Sequence, residues 1–283
     1  MSDLLRPYTG PHLDLPNRIA MAPMTRGRAD DATGVPGPPT AQYYAQRAGA
    51  GLIVTEGIYP NPLGKGGPGV PGLVTNAQVD GWRAVTGAVH AAGGRIFAQL
   101  WHVGRMTHPV TLPDGATPVA PSAVRIGSAP IFTRDGLVPH VVPRPLTTAE
   151  AETTIADFAN EARAAIRAGF DGVEVHGANG YLIQQFLAEN TNRRTDRFGG
   201  SRSGRLRFAL DASRPSRTRS GRSGSACGSH PATRRTRSPS RIRGVRTGRS
   251  WPPSNRAASP TCTSSSAGRT GRSPTCGRAG RAR

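Results

Sequence analysis

Cysteine is scarce: the three in the chain, Cys227, Cys262 and Cys276, lie close to its C-terminal end and show no CxxC spacing. No disulfide framework and no metal site is read from them. No apolar run approaches the ~20 residues of a membrane span, and the first residues lack the apolar core of a signal peptide. The expectation is a cytoplasmic chain without membrane association. No GxGxxG follows the first apolar segment and no GxxxxGK occurs, which counts against dinucleotide-binding and P-loop folds. Acidic residues are few, 17 Asp+Glu against 37 Lys+Arg, a net charge of +20.

That shortage is local. From Ser213 to Arg283 there are 17 Arg and no Lys, Asp, Glu, Leu, Met, Phe, Tyr or Gln, which leaves 20 basic and 17 acidic residues in the first 212. The chain therefore divides into 1–212, of ordinary composition, and an Arg/Ser/Gly/Pro tail, 213–283. Such a tail buries too little to offset the entropy of ordering and is expected to be disordered. Taken literally, it would bind nucleic-acid phosphates without sequence preference. A second origin explains more of it. With G/C-rich codons, a one-base shift gives most Ser, Cys and Trp codons a central T, and such codons encode apolar residues. Gly248–Ser266 read that way can yield a helix end, a turn and a strand, so the tail is expected to be a frameshifted translation.

Within 1–212 the apolar periodicity alternates between two types. Strands are expected at Arg18–Met21, Gly51–Ile58, Arg95–Trp101 and Asp171–His176, and helices at Thr40–Ala48 and Asn76–Ala92. Thr147 and Glu150 form a capping box for a third helix, with Ile155, Phe158, Ala159, Ala162, Ala165 and Ile166 on one face and Gly169 as its stop. Residues 102–145, rich in Pro and Gly, are too long for a plain connection and are expected to be a functional loop or small hairpin. This β/α alternation predicts a parallel sheet with right-handed crossovers. A barrel and a doubly wound sheet both fit.

The segment AGFDGVEVHGANGYLIQQFL from Ala168 is the most informative. Val173 and Val175 alternate with Gly172, Glu174 and His176, so His176 ends a strand at the edge where parallel barrels carry their chemistry. Asn179 and Tyr181 follow in a glycine-containing loop. An imidazole, a carboxamide and a phenol can together hold an oxygen that gains negative charge and deliver a proton beside it. The same residues also suit a satisfied strand-end histidine, a capping asparagine and a packed tyrosine, and by themselves they leave both readings open. His102 and Arg105 read as solvated loop residues.

Several separated motifs add to this: LPNRIAMAPMTR at Leu15, YYAQRAGAGLIVTEG at Tyr43, AQLWHVGR at Ala98, GFDGVEVHGANGYLIQQFL at Gly169 and NRRTDRFGGS at Asn192. In order and spacing the chain resembles the old yellow enzyme family of FMN-dependent ene-reductases from about Leu5 to Ala212. The resemblance implies an α/β fold of the parallel (β/α)8 TIM-barrel type, of which about the first half is present. It implies FMN as cofactor, NADPH or NADH as reductant and an enone-type small molecule as substrate. By position, Thr25 would bond the flavin carbonyl beside the reactive nitrogen, with Pro23 and Met24 giving backbone contacts. Gly57 would leave room for the ring and Gln99 would bind the pyrimidine edge, while Trp101 would shape the substrate pocket. His176 and Asn179 would clamp the substrate carbonyl and Tyr181 would protonate the α-carbon. Where many relatives place an aromatic residue after Lys-Gly, Lys65-Gly66 is followed by Gly67, which is expected to open the pocket. Out of frame, Gly221–Pro231 resembles the family's fifth strand. A half barrel leaves two sheet edges and lacks the later loops that commonly bind the cofactor phosphate, so the chain as written is expected to bind FMN weakly or not at all.

Overall fold

Four parallel strands, β1 (Ala20–Met21), β2 (Leu52–Ile58), β3 (Ile96–Leu100) and β4 (Gly172–Val175), form one sheet whose spatial order follows the chain. They belong to a computed structural model that describes residues 3–10, 13–127 and 129–214. The tail expected to be disordered, and with it the nucleic-acid and frameshift readings, lies outside the described residues apart from Ser213 and Arg214. Helix α1 (Pro38–Ala45) joins β1 to β2, α2 (Asn76–Ala91) joins β2 to β3, and α3 (Thr148–Arg167) joins β3 to β4. Helices α4 (Leu182–Leu187) and α5 (Arg202–Ala212) follow. Sequential strand order with a helix in every crossover is the first half of a (β/α)8 barrel.

Local chemistry sets the element ends. Thr147 and Glu150 make the expected capping box, and Thr75 with Gln78 makes a second one on α2. Each cap is worth about 0.5–2 kcal/mol. After α3, Gly169 takes φ +89° while its N–H bonds the Ile166 carbonyl and the Phe170 N–H bonds that of Ala165. That pair of bonds is a Schellman stop, which needs a residue content in the left-handed region. The first strand is shorter than expected because the Asn17 side chain accepts from the Ile19 and Gly51 N–H groups and donates to the Gly49 carbonyl. These contacts replace ladder bonds at its entry.

One expectation about α3 is corrected. Ile166 is exposed, and the buried positions are Ala151, Thr154, Phe158, Glu161, Ala164 and Ala165. Hydrophobic periodicity passes over Thr154 and Glu161 because they are polar, and so rotates the inferred face. The core beneath the helices includes Trp82, whose ring lies 5.3 Å from Phe170 and whose Nε1 donates to the Gly72 carbonyl at 3.1 Å. Past β4, Phe186 stacks on Phe208 at 3.9 Å with Phe198 set edgewise, and the Asn192 amide bonds the Phe186 and Phe198 carbonyls. The long excursion contains the expected small hairpin, Pro130–Thr133 with Gly136–Pro139, and returns through a parallel pairing of Val119–Ala120 with Arg144–Pro145.

Candidate active site

Strand β2 departs from regular pairing where the site begins. Val54 opposes Phe97 but Gly57 opposes Gln99, so one extra residue is inserted as a bulge. The Thr55 hydroxyl repairs the ladder by accepting the Gln99 N–H at 3.0 Å. The bulge also seats Glu56, which is 1% exposed, below the loop after β1. Its Oε2 accepts from the Arg26 and Gly27 N–H groups at 2.8 and 3.2 Å, and the Tyr44 hydroxyl donates to Oε1 while accepting the Glu56 N–H. Burial pushes this carboxyl up, against the opposing effect of those hydrogen bonds. Glu56 thereby fixes the segment immediately after Pro23, Met24 and Thr25. Met24 and Thr25 are exposed there, and the Thr25 hydroxyl has no partner among the described residues.

Trp101 follows β3, and its indole lies against Gly57: a Cβ on that glycine would come within 2.2 Å of Trp101 Cε3. Gly57 thus makes room for Trp101. Trp101 also lies edge-on to Tyr181 with ring centroids 5.0 Å apart, and Tyr181 is edge-on to His176, also at 5.0 Å. Three of the expected residues therefore meet at the C-terminal ends of β3 and β4. A Cβ on Gly67 would meet nothing within 4 Å, so the space after Lys65-Gly66 is open.

The polar atoms of this group are matched to donation. His176 Nδ1 accepts the Ala178 N–H at 3.2 Å, which leaves the proton of the neutral ring on Nε2. Burial lowers its pKa, with Glu174 acting in the opposite direction. Burial also raises Tyr181, whose hydroxyl makes no hydrogen bond among the described residues. Asn179 is exposed in the left-handed region at φ +56°, its carboxamide likewise unpartnered there. Asparagine is among the few non-glycine residues that adopt that region readily. Gln99 is engaged already: its Nε2 donates to Glu174 Oε1 at 2.7 Å.

Two residues that the sequence reading left unassigned hold the loop carrying Asn179 and Tyr181. Gln185, 1% exposed, donates to the Val103 and Gly180 carbonyls at 3.0 and 2.7 Å and accepts the Arg105 N–H at 3.3 Å. Gln184 accepts the Gly180 N–H at 2.5 Å. Their signal was two glutamines inside an otherwise apolar helical run. His102 is corrected: it is 2% exposed, not solvated, with Nδ1 accepting the Gly104 N–H and its ring beside Gly64. A glycine neighbour and a local turn bond allow a ring to be buried in what reads as loop sequence. Arg105 is half-buried and donates to the Val124 carbonyl at 2.6 Å, so it too is fixed.

Sequence comparison decides the family. Residues 3–222 match the NADH:flavin oxidoreductase / NADH oxidase family. The chain belongs to that family. It is 46% identical over 214 residues to 12-oxophytodienoate reductase 7 of Oryza sativa subsp. japonica, covering 75% of this chain and 54% of the relative. It is 45% identical over 217 residues to chanoclavine-I aldehyde reductase fgaOx3 of Penicillium roqueforti, covering 76% and 56%. Among solved structures, morphinone reductase superposes with a TM-score of 0.70 at 48% identity, covering 75% of this chain and 58% of that one. An old yellow enzyme homologue from Zymomonas mobilis superposes at 0.71 and 45%, with the same coverage. This member of the flavin oxidoreductase family spans about half the length of the curated relatives it matches.

Proposed function

We propose that residues 1–212 are the substrate-polarising half of an FMN-dependent oxidoreductase that takes hydride from NAD(P)H and reduces the activated C=C bond of an α,β-unsaturated carbonyl compound. The observation that carries this reading is the His176–Tyr181–Trp101 contact set, with unpartnered donors at the ends of β3 and β4. Relatives named for the reduction of 12-oxophytodienoate, morphinone and an aldehyde support it.

The donor set suits a flavin ring. The free Thr25 hydroxyl and the Gln99 carboxamide are hydrogen-bonding groups for its edges, and Pro23 and Met24 lie beside Thr25 on a loop that Glu56 holds. FMN, when bound, supplies the hydride that passes from NAD(P)H to the β-carbon of the alkene. The rest falls to this chain's own residues. His176 Nε2–H and the Asn179 amide donate to the substrate carbonyl oxygen, whose negative charge grows during addition, so these bonds stabilise the transition state more than the ground state. A histidine lowered by burial stays neutral at pH 7 and keeps that donor. A tyrosine raised by burial stays protonated there, and its O–H can be given to the α-carbon. Trp101, packed against Tyr181, walls the space where the alkene would lie.

The test separates the two half-reactions. Residues 1–212 are fused to the C-terminal half barrel of morphinone reductase, and flavin reduction by NADH and reoxidation by 2-cyclohexenone are followed by stopped flow. Tyr181→Phe is expected to slow reoxidation about 10²–10⁴-fold, the usual contribution of a positioned general acid, while flavin reduction stays unchanged. Wild-type reoxidation in that variant would refute the assignment. The unfused chain is expected to bind FMN weakly, because the loops after the seventh and eighth strands, where such barrels commonly hold a phosphate, are not among the described residues. Tight stoichiometric quenching of FMN fluorescence by it would overturn that expectation.

A further inference from the structure

Strands β3 and β4 place a carboxamide and a carboxylate side by side. Glu174 of β4 is in register with Gln99 of β3, so both side chains leave the sheet on the same face. The ladder continues one step further, where the His176 N–H bonds the Leu100 carbonyl. Two residues beyond Glu174, His176 therefore lies on that face as well.

Gln99 is 7% exposed, whereas Glu174 is open to solvent. They meet through one bond, from Gln99 Nε2 to Glu174 Oε1 at 2.7 Å. Gln99 Oε1 has no partner among the described residues and, unlike the buried unpartnered atoms of this fold, keeps accessible surface. The bond from the Gln99 N–H to Thr55 Oγ1 fixes the main chain and leaves the amide to be oriented by something else. Glu174 does this by chemistry. A carboxylate only accepts hydrogen bonds, so it holds the nitrogen end of the amide and repels the oxygen end. Without it the two ends, nearly alike in shape, could exchange places. The charge of Glu174 also reaches His176, where it opposes the effect of burial.

We propose that Glu174 is a positioning residue: it orients the Gln99 carboxamide so that the amide oxygen accepts an N–H from the ligand at the mouth of the barrel. This rests on the flavin reading above, in which the ligand edge is the imide of the flavin pyrimidine, an N–H between two carbonyls. Orientation then becomes selection. A ring methylated on the imide nitrogen has no N–H to give and offers the Gln99 oxygen only acceptors.

The isotope-labelled full-length chain is titrated with FMN and, separately, with 3-methyl-FMN, each to millimolar concentration. The Gln99 side-chain amide and the Thr25 backbone amide are followed by NMR. The wild type is expected to bind FMN about three- to tenfold more tightly than 3-methyl-FMN, the worth of one hydrogen bond. Glu174→Gln keeps the shape and loses the charge, so the Gln99 amide can face either way and the ratio should fall toward one. Damage to packing would weaken both flavins together, so the ratio reports orientation. Glu174→Ala is expected to give the same fall and serves if the first variant does not keep the wild-type amide spectrum of α2 and α3. An undiminished ratio in the folded variants overturns the role of Glu174, and equal binding of both flavins by the wild type overturns the orientation of Gln99. Shifts at neither Gln99 nor Thr25 with either flavin overturn the flavin reading itself, and the proposal with it.

Discussion

Glu161 offers a test of how this fold tolerates a buried acid. It is 1% exposed on the core face of α3, and neither carboxyl oxygen has a hydrogen-bond partner. One turn earlier Asp157 accepts from Asn61 Nδ2 at 2.7 Å, and Asn61 Oδ1 is also buried and unpartnered. Desolvation, with Asp157 adding to it, holds Glu161 well above the usual carboxylate range. The folded state therefore keeps a proton that the unfolded chain releases. Its contribution to stability is full below the ordinary value of 4.5 and is lost as pH rises from there through the folded value. A buried unsatisfied polar group costs about 1–3 kcal/mol, and an apolar replacement of similar volume costs under ~1.5 kcal/mol in misfit. Glu161→Met should accordingly gain about 1–2 kcal/mol at pH 7, or roughly 2–4 °C in Tm per kcal/mol. Glu161→Gln cannot ionise, so its stability should overtake that of the wild type progressively as pH rises from 5 to 8. Urea unfolding of the three proteins at several pH values reads both effects. Parallel pH profiles for wild type and Glu161→Gln, or a loss of more than about 1 kcal/mol in Glu161→Met, would refute the reasoning.

Three other outcomes follow from the contacts. Gln185→Leu strands the Val103 and Gly180 carbonyls and the Arg105 N–H; at about 0.5–1.5 kcal/mol per bond it should cost roughly 2–4 kcal/mol in urea unfolding, with faster amide exchange across 177–181. Asp196 is held well below the usual carboxylate range by Arg194 first, then by the Thr148 hydroxyl and the Phe198 N–H. Its stabilisation is present above about pH 4 and lost as pH falls through the folded value, so the penalty of Asp196→Asn, about 1.5–3 kcal/mol at pH 7, should shrink in acid. Gly57→Ala places a Cβ 2.2 Å from Trp101 Cε3; the indole must move, at about 1–3 kcal/mol, and near-ultraviolet circular dichroism should change.

The barrel half was legible because its elements carry independent signals that agree. Short apolar runs mark β2 and β3 and a period-2 pattern marks β4, the Thr147–Glu150 box opens α3 and Gly169 closes it. The motif from Gly169 likewise led to His176 and Tyr181, which the fold brings into contact through one ring. What sequence could not show were buried polar side chains acting on a distant backbone. Glu56 and Gln185 look like surface residues on any hydropathy scale, yet each is 1% exposed. Their one local sign is position: Glu56 interrupts the largely apolar run of β2, and Gln185 interrupts an apolar helical stripe. Glu161 misled for the same reason, since a polar core position rotates the inferred face of α3.

These buried groups share an arrangement that explains how the mouth of the barrel is kept in register. Glu56, from β2, holds the loop that follows β1. Trp101, just past β3, fills the space that Gly57 leaves in β2. Gln185, past β4, holds the carbonyl of Val103 and the N–H of Arg105 past β3. The loops after β1 and β3 are thus each held in part by the next β/α unit in the chain, through a buried polar side chain that adds to the loop's own turn bonds. A loop of Gly, Pro and exposed donors would otherwise carry little local stability. Held from the neighbouring unit, the Thr25 segment and the Trp101–Tyr181 contact owe their positions to residues inside the four-stranded part. The groups that would meet a substrate are free to remain unpartnered because other residues carry the structural hydrogen bonds.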